Sequence, residues 1–201
     1  MPPVLTRSAL LSSGVKRGAA LVVASSMFET LAGSAAADPL PDGDLAFARL
    51  LVGAELLAAD FYTQAIAAKQ FGAVTQKYLA IALQNEQAHY QSVSLILSGA
   101  GQTPAVATDF NFSYPGGSFG SRRSIATLGG KLEAVFLGAY LGAIAGIQTP
   151  ALAGPLARIA ASESQHLSLW ETELDGRPLT GAFPAPITIE QVSDAMDAYT
   201  S

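Results

Sequence analysis

The chain has 201 residues, of which half are hydrophobic and 13% are charged, and its formal net charge at pH 7 is −5. This composition supplies one buried core and differs from that of a disordered chain. The 11 Lys and Arg residues are scattered singly or in pairs. No basic surface is therefore expected, which argues against nucleic-acid binding. The chain has no cysteine, which excludes disulfides, thiolate metal ligands and iron–sulfur clusters.

Residues 1–37 have the three parts of a secretory signal peptide, which are a basic start, an uncharged apolar stretch and an A-x-A cleavage signal ending at Ala37. The basic residues are Arg7, Lys16 and Arg17. We predict export of residues 38–201, as one domain, to the periplasm or the extracellular space. The general secretory route is preferred over the twin-arginine route. An uncleaved amphipathic tail is the alternative, because Glu29 lies between the apolar stretch and the cleavage signal.

Four segments of the mature chain carry apolar residues at steps of three and four, the periodicity of a buried helix face. The predicted helices cover about residues 45–70, 74–98, 122–146 and 149–174. Thr188 and Gln191 form a capping box that predicts a short fifth helix ending near Tyr199. The sequence therefore predicts an all-α fold, a four-helix bundle with a short C-terminal helix.

Sequence signals mark the ends of these helices. Asp42 or Asp44 is expected to cap the first helix, and Gly72 is expected to end it in the left-handed conformation. Thr149 and Pro150 are expected to be the N-cap and the first residue of the fourth helix.

One connection, residues 99–121, is far longer than the others. Its length suits a chain that returns along a helix about 39 Å long, so we predict that the second and third helices run parallel. Small residues recur at four-residue steps along the third helix, which predicts close approach of a neighbouring backbone. They are Gly130, Ala134, Gly138, Gly142 and Gly146. The longest uncharged apolar run has 14 residues, short of the ~20 that span a membrane, so no membrane span is predicted.

The two histidines of the chain each follow a glutamate by three residues. A lone glutamate in an apolar stretch precedes each pair by about one helix, at matched spacings of 31 and 30 residues. The six residues are Glu55, Glu86 and His89 in the first half and Glu133, Glu163 and His166 in the second. The same alignment matches Tyr62 with Tyr140, which is consistent with a duplication of about 78 residues.

These six residues are predicted to hold two transition-metal ions. All four glutamates fall on the apolar faces of their helices, where an isolated carboxylate is costly to bury. None of them has a Lys or Arg three or four residues away, although a solvated helix face would usually supply one. Four carboxylates and two neutral imidazoles balance two divalent ions. The alternative is that the glutamates lie on solvated faces and the histidines fill the core.

This pattern resembles the ferritin-like di-iron carboxylate superfamily over about residues 44–174, and more narrowly the exported bacterial ferritin-like-domain group that includes desiccation-related proteins. The resemblance implies one long crossover between the second and third helices. It also implies two iron ions, or manganese, bridged by Glu86 and Glu163. Each ion is completed by one further glutamate and one histidine. These pairs are Glu55 with His89 and Glu133 with His166.

The resemblance implies a redox function, in which the protein oxidises Fe(II) or reduces the small molecules O₂ or hydrogen peroxide. Manganese-catalase-like peroxide dismutation is one alternative. A non-catalytic metal-binding module for stress protection is another. Tyr62 and Tyr140 would line the site, and we interpret them as ordinary core tyrosines, with redox participation as the alternative. No cage-forming surface or cysteine-ligated iron domain is visible in the sequence, and homo-oligomerisation remains open.

Overall fold

The structure is a computed structural model that describes residues 39–179 and 181–200. The predicted signal peptide lies outside these residues. Within them the fold is helical, without strands, as predicted. The five α-helices are α1 (Asp42–Ala67), α2 (Ala73–Gly99), α3 (Arg122–Gly146), α4 (Ala153–Asp175) and α5 (Ile189–Asp197). Single turns of 3₁₀ helix occupy Ala107–Asp109 and Pro150–Leu152.

The helices pack as two hairpins, α1 with α2 and α3 with α4, and α1 lies against α3 in the centre. Glu173, near the end of α4, binds both Thr75 at the start of α2 (2.8 Å) and Arg122 at the start of α3 (2.7 Å). Because the starts of α2 and α3 lie at the same end of the bundle, these two helices run parallel. The prediction of one long crossover is confirmed.

The start of α1 differs from the prediction. The helix begins at Asp42, three residues early, and its N-cap Pro41 makes no side-chain capping bond. The prediction that Asp42 or Asp44 caps α1 is therefore wrong. The buried Asp44 carboxylate instead accepts hydrogen bonds from the backbone N–H groups of Gln148 (2.8 Å) and Thr149 (2.9 Å). A carboxylate in the first turn of one helix thus satisfies free donors at the start of another.

The end of α1 also differs. Lys69, and not Gly72, adopts the left-handed conformation, with a φ of 53°. Gly72 has a φ of −68° and becomes the N-cap of α2, so the prediction for Gly72 is wrong. Helix α1 ends at Ala67, before Gly72, and Lys69 adopts the left-handed conformation that is unfavourable for a residue with a side chain.

The fourth helix opens in two stages. Thr149 and Pro150 begin the 3₁₀ turn as N-cap and first residue, and α4 follows from Ala153. The Thr149 side chain makes no capping bond, and the Leu152 N–H donates to the backbone carbonyl of Thr149 instead (3.0 Å). The capping box of Thr188 and Gln191 is present as predicted.

The C-terminal segment covers α1 and α3 on the side away from α2 and α4. The Ile187 N–H donates to the Gly138 carbonyl (3.1 Å). The carbonyl oxygen of Ile187 lies only 2.0 Å from the position that a Cβ atom on residue 142 would occupy, so Gly142 leaves room for this backbone. Helix α5 then packs on both α1 and α3. The glycine stripe therefore admits a neighbouring backbone, as the sequence predicted.

Helix α3 is long and apolar enough, by length and composition alone, to cross a membrane. It is the one such helix among the described residues, and 61% of its most apolar window is buried inside the bundle. Its buried face includes the carboxylate of Glu133. We therefore interpret α3 as a core helix of the bundle.

Candidate metal centre

The six residues singled out in the sequence lie together in the middle of the bundle. The i, i+3 spacing places each glutamate and its histidine one turn apart on the same helix face. The exposed fractions of the six run from 0% for Glu86 to 9% for His89. They are Glu55 on α1, Glu86 and His89 on α2, Glu133 on α3, and Glu163 and His166 on α4.

Their donor atoms form two overlapping groups. In each group, the ligand atoms all lie within 4.8 Å of one another. Glu86 and Glu163 belong to both groups. Glu55 and His89 complete the first group, and Glu133 and His166 complete the second. Two carboxylates are thus placed where both can contact two ions.

Each histidine reaches across the bundle to the shared glutamate of the other half. His89 Nδ1 lies 2.8 Å from Glu163 Oε1, and His166 Nδ1 lies 2.7 Å from Glu86 Oε1. The distances from each Nδ1 to the glutamate on its own helix are longer, at 3.2 Å and 3.3 Å. The two halves of the sequence therefore build a site with nearly two-fold geometry.

One oxygen of every glutamate in this cluster makes no well-formed hydrogen bond among the described residues, although two of the four lie close to an imidazole nitrogen. These atoms are Glu55 Oε2, Glu86 Oε1, Glu133 Oε2 and Glu163 Oε1. A buried carboxylate oxygen left without a partner is costly, and native structures rarely tolerate several together. Four such oxygens beside two imidazole nitrogens form a donor set that suits divalent transition-metal ions. The residues present therefore fit a pair of metal ions.

The opposite oxygens of two glutamates are bound by buried tyrosines. Tyr62 donates to Glu133 Oε1, and Tyr140 donates to Glu55 Oε1. Each tyrosine therefore orients a glutamate that belongs to the other half of the repeat. Burial and the adjacent Glu133 carboxylate raise the pKa of Tyr62 well above its usual value, so the hydroxyl stays protonated as a donor. The interpretation of both residues as core tyrosines was incomplete, because their hydroxyls also contact the site.

Two further residues contact this inner set. Trp170 Nε1 donates to the Tyr62 hydroxyl oxygen (3.1 Å). The side-chain nitrogen of Asn85, Nδ2, lies 3.1 Å from His166 Nε2. The sequence interpretation missed Asn85. The one available signal was its place directly before Glu86.

The cluster attracts protons when no metal is bound. Burial, with repulsion from other carboxylates, raises the pKa values of Glu55 and Glu133 well above the usual value. Burial alone would lower the pKa of His166, but the adjacent carboxylates of Glu163 and Glu86 outweigh it and raise this pKa to about 11.

The pKa values of His89 and Glu163 are likewise set by a balance between burial and the neighbouring charges. Burial alone would lower the pKa of His89, but the surrounding carboxylates, Glu163 first, raise it. Burial would raise the pKa of Glu163, but the two imidazoles lower it to about 2. The metal-free cluster therefore favours protonation of both histidines and of Glu55 and Glu133. Bound divalent ions would supply positive charge in place of these protons.

Comparison with protein families places these features in a known class. The model of the ferritin-like domain matches residues 43–175, a span that contains all six residues of the cluster. The chain therefore belongs to the ferritin-like domain family, and its fold is the one that the resemblance implied. A comparison with curated proteins finds no match. The buried carboxylate and histidine groups could hold metal ions, and ferritin-like domains commonly bind iron.

Proposed function

We propose that this protein binds two iron ions at the cluster and oxidises Fe(II) with O₂ or hydrogen peroxide as the electron acceptor. The observation that carries the proposal is the buried set of four carboxylates and two imidazoles, whose donor atoms form two groups that share Glu86 and Glu163. Two Fe(II) ions supply two electrons, which with two protons reduce one hydrogen peroxide molecule to two waters.

The protein's own residues have distinct roles in this proposal. Glu86 and Glu163 would hold both ions, because each belongs to both donor groups. Tyr62 and Tyr140 fix the orientation of the terminal carboxylates. The buried surroundings keep bulk water from the donor atoms, which strengthens their attraction for cations.

The packing of the bundle favours small oxidants over large organic substrates. The α1 and α3 side is covered by the C-terminal segment, whereas α2 and α4 make few contacts with each other. His89 and His166, the two most exposed of the six residues, lie on these two helices. In this proposal O₂ or hydrogen peroxide would reach the site from the side of α2 and α4, where the two histidines lie.

We further propose that the protein is exported and belongs with the bacterial ferritin-like-domain proteins related to desiccation. The support is the leader pattern of residues 1–37 together with a single ferritin-like domain after it. N-terminal sequencing of the exported chain tests the boundary, with Asp38 as the expected first residue.

Anaerobic loading with Fe(II) followed by exposure to O₂ or hydrogen peroxide tests the function. Wild-type protein should develop ferric absorbance in the near ultraviolet faster than Fe(II) in buffer. His89→Ala and His166→Ala should slow it, because each removes the nitrogen donor of one ion. Ser164→Ala, an exposed change on α4 beside Glu163, should leave the rate unchanged.

The proposal fails if wild-type protein oxidises Fe(II) no faster than buffer. Dismutation of peroxide by manganese-loaded protein would then favour the catalase-like reaction. Absence of both reactions would favour a metal-binding module without catalysis.

A further inference from the structure

The outer surroundings of the two ion positions are unequal, although the six inner residues follow a nearly two-fold arrangement. Asn85, directly before Glu86, contacts His166 Nε2 at 3.1 Å. The matching residue directly before Glu163 is Ser162. Within the described residues, no hydrogen bond joins Ser162 to His89. Among the described residues, the repeat thus provides an outer partner for the imidazole of His166, and Ser162 provides none for that of His89.

A second asymmetry falls on the same position. Trp170 follows His166 by four residues and donates to Tyr62, which in turn donates to Glu133. The residue four after His89 is Val93, whose side chain has no donor. We name the group completed by Glu133 and His166 the His166 position, and the group completed by Glu55 and His89 the His89 position. Both additional partners serve the His166 position.

The contact from Asn85 has a defined consequence for metal binding. His166 directs Nδ1 at the carboxylates, so a metal-bound imidazole carries its proton on Nε2. In the structure Asn85 Nδ2 faces His166 Nε2. The two ends of an asparagine amide are assigned by their hydrogen bonds, so with the amide turned over its oxygen accepts from the Nε2–H of the metal-bound ring. A bond of this kind fixes the ring orientation and raises the basicity of the coordinating nitrogen.

We propose that the two ion positions differ in affinity, and that Asn85 makes the His166 position the tighter one, which fills first. The inference rests on the proposed binding of two metal ions. Loss of an outer partner of a metal-bound histidine typically weakens metal binding about 10- to 100-fold. The His166 position should therefore bind its ion at least about tenfold more tightly than the His89 position.

Titration with Co(II) alone, followed by calorimetry and visible absorption, tests this order. Wild-type protein should bind two ions in two resolved steps. His89→Ala removes a donor from the weaker position and should retain the tight step. His166→Ala should retain only the weak step. Equal affinities in these two variants would contradict the inference while leaving metal binding intact, whereas no Co(II) binding by wild type would contradict the proposed function as well.

Substitution of Asn85 separates its proposed role from a general structural one. In the His89→Ala background, Asn85→Ser should weaken the remaining step about 10- to 100-fold, and Asn85→Asp should restore it, because the carboxylate again accepts the Nε2 proton. In the His166→Ala background, Asn85→Ser should change nothing. Ser162→Ala is the matched control in the other half and should leave both affinities unchanged. An Asn85→Ser variant that binds both ions as wild type does would overturn the proposal.

Discussion

At the scale of single residues, Glu86 and Glu163 are the centre of the site. Each lies within 4 Å of both imidazoles, at distances between 2.7 Å and 3.3 Å. In each, the oxygen nearest an imidazole makes no hydrogen bond to any other described group. Such a carboxylate is stable in a buried place only when a cation or a proton neutralises it. This requirement links the burial of the cluster to its proposed metal binding.

The two tyrosines allow a matched comparison at the same scale. Tyr62→Phe leaves Glu133 Oε1 and Trp170 Nε1 without their partner, whereas Tyr140→Phe leaves only Glu55 Oε1. Each buried polar atom left unpaired costs about 1–3 kcal/mol. Urea unfolding of the metal-free variants should therefore show a larger loss of stability for Tyr62→Phe than for Tyr140→Phe. Equal or negligible losses would mean that the hydroxyls are not needed to satisfy these atoms.

At the scale of the helices, periodicity predicted which segments are helical, and α3 has the predicted bounds of residues 122 and 146. Local signals alone were insufficient at the ends of α1. Asp44 satisfies donors more than a hundred residues away, a long-range contact that no local capping rule contains. Gly72 was available for the left-handed turn, but the chain turns at Lys69 instead. Long-range packing decides such boundaries, so the sequence alone could not place them.

The turn at Lys69 provides a test of this boundary. A left-handed conformation costs a non-glycine residue about 1–2 kcal/mol, and a glycine at this position would not have this cost. Glycine also has greater freedom in the unfolded chain, which cancels a part of this gain in stability. Lys69→Gly should therefore raise the free energy of unfolding by about 0.5–1 kcal/mol. Ala68→Gly is the control, because Ala68 has a φ of −67° and should lose stability instead. Denaturant unfolding measures both, and a loss of stability in Lys69→Gly would show that the turn is not strained.

At the scale of the whole molecule, the bundle buries a cluster of ionisable groups. In the folded protein, the charges of these groups must be neutralised by protons or by bound metal ions. The sequence predicted the six residues and their common location, because apolar helix faces and the balance of charges can both be recognised from the sequence alone. It did not predict the contacts of Asn85 and Trp170, because these depend on how α2 and α4 are placed across the bundle. The same packing makes metal-free stability depend on pH.

Metal-free protein should lose stability as pH rises. The folded pKa of His166 is about 11 against 6.5 when unfolded, so the folded state binds more protons between these values. The stability that this proton contributes is complete below pH 6.5 and is lost as pH rises toward 11. His89, Glu55 and Glu133 also have raised pKa values and add the same sign.

The lowered pKa of Glu163, about 2 against 4.5, acts in the opposite direction and only under acid conditions. It contributes stability above pH 4.5 that is lost as pH falls toward 2. Bound ions would replace the extra protons, so metal-loaded protein should show a much smaller fall above neutral pH. Melting curves of the two forms that respond equally to pH between about 6.5 and 9 would argue against a buried cluster neutralised by metal.

The number of divalent ions bound per chain tests the central claim most directly. Elemental analysis of protein loaded with Fe(II) under anaerobic conditions, then freed of unbound metal, should give two ions per wild-type chain. Glu86→Gln should lose both ions, because Glu86 belongs to both donor groups, while Glu55→Gln should lose mainly one, because Glu55 belongs to a single group. One ion or none in the wild type, or loss of a single ion in Glu86→Gln, would contradict a two-ion centre joined by shared carboxylates.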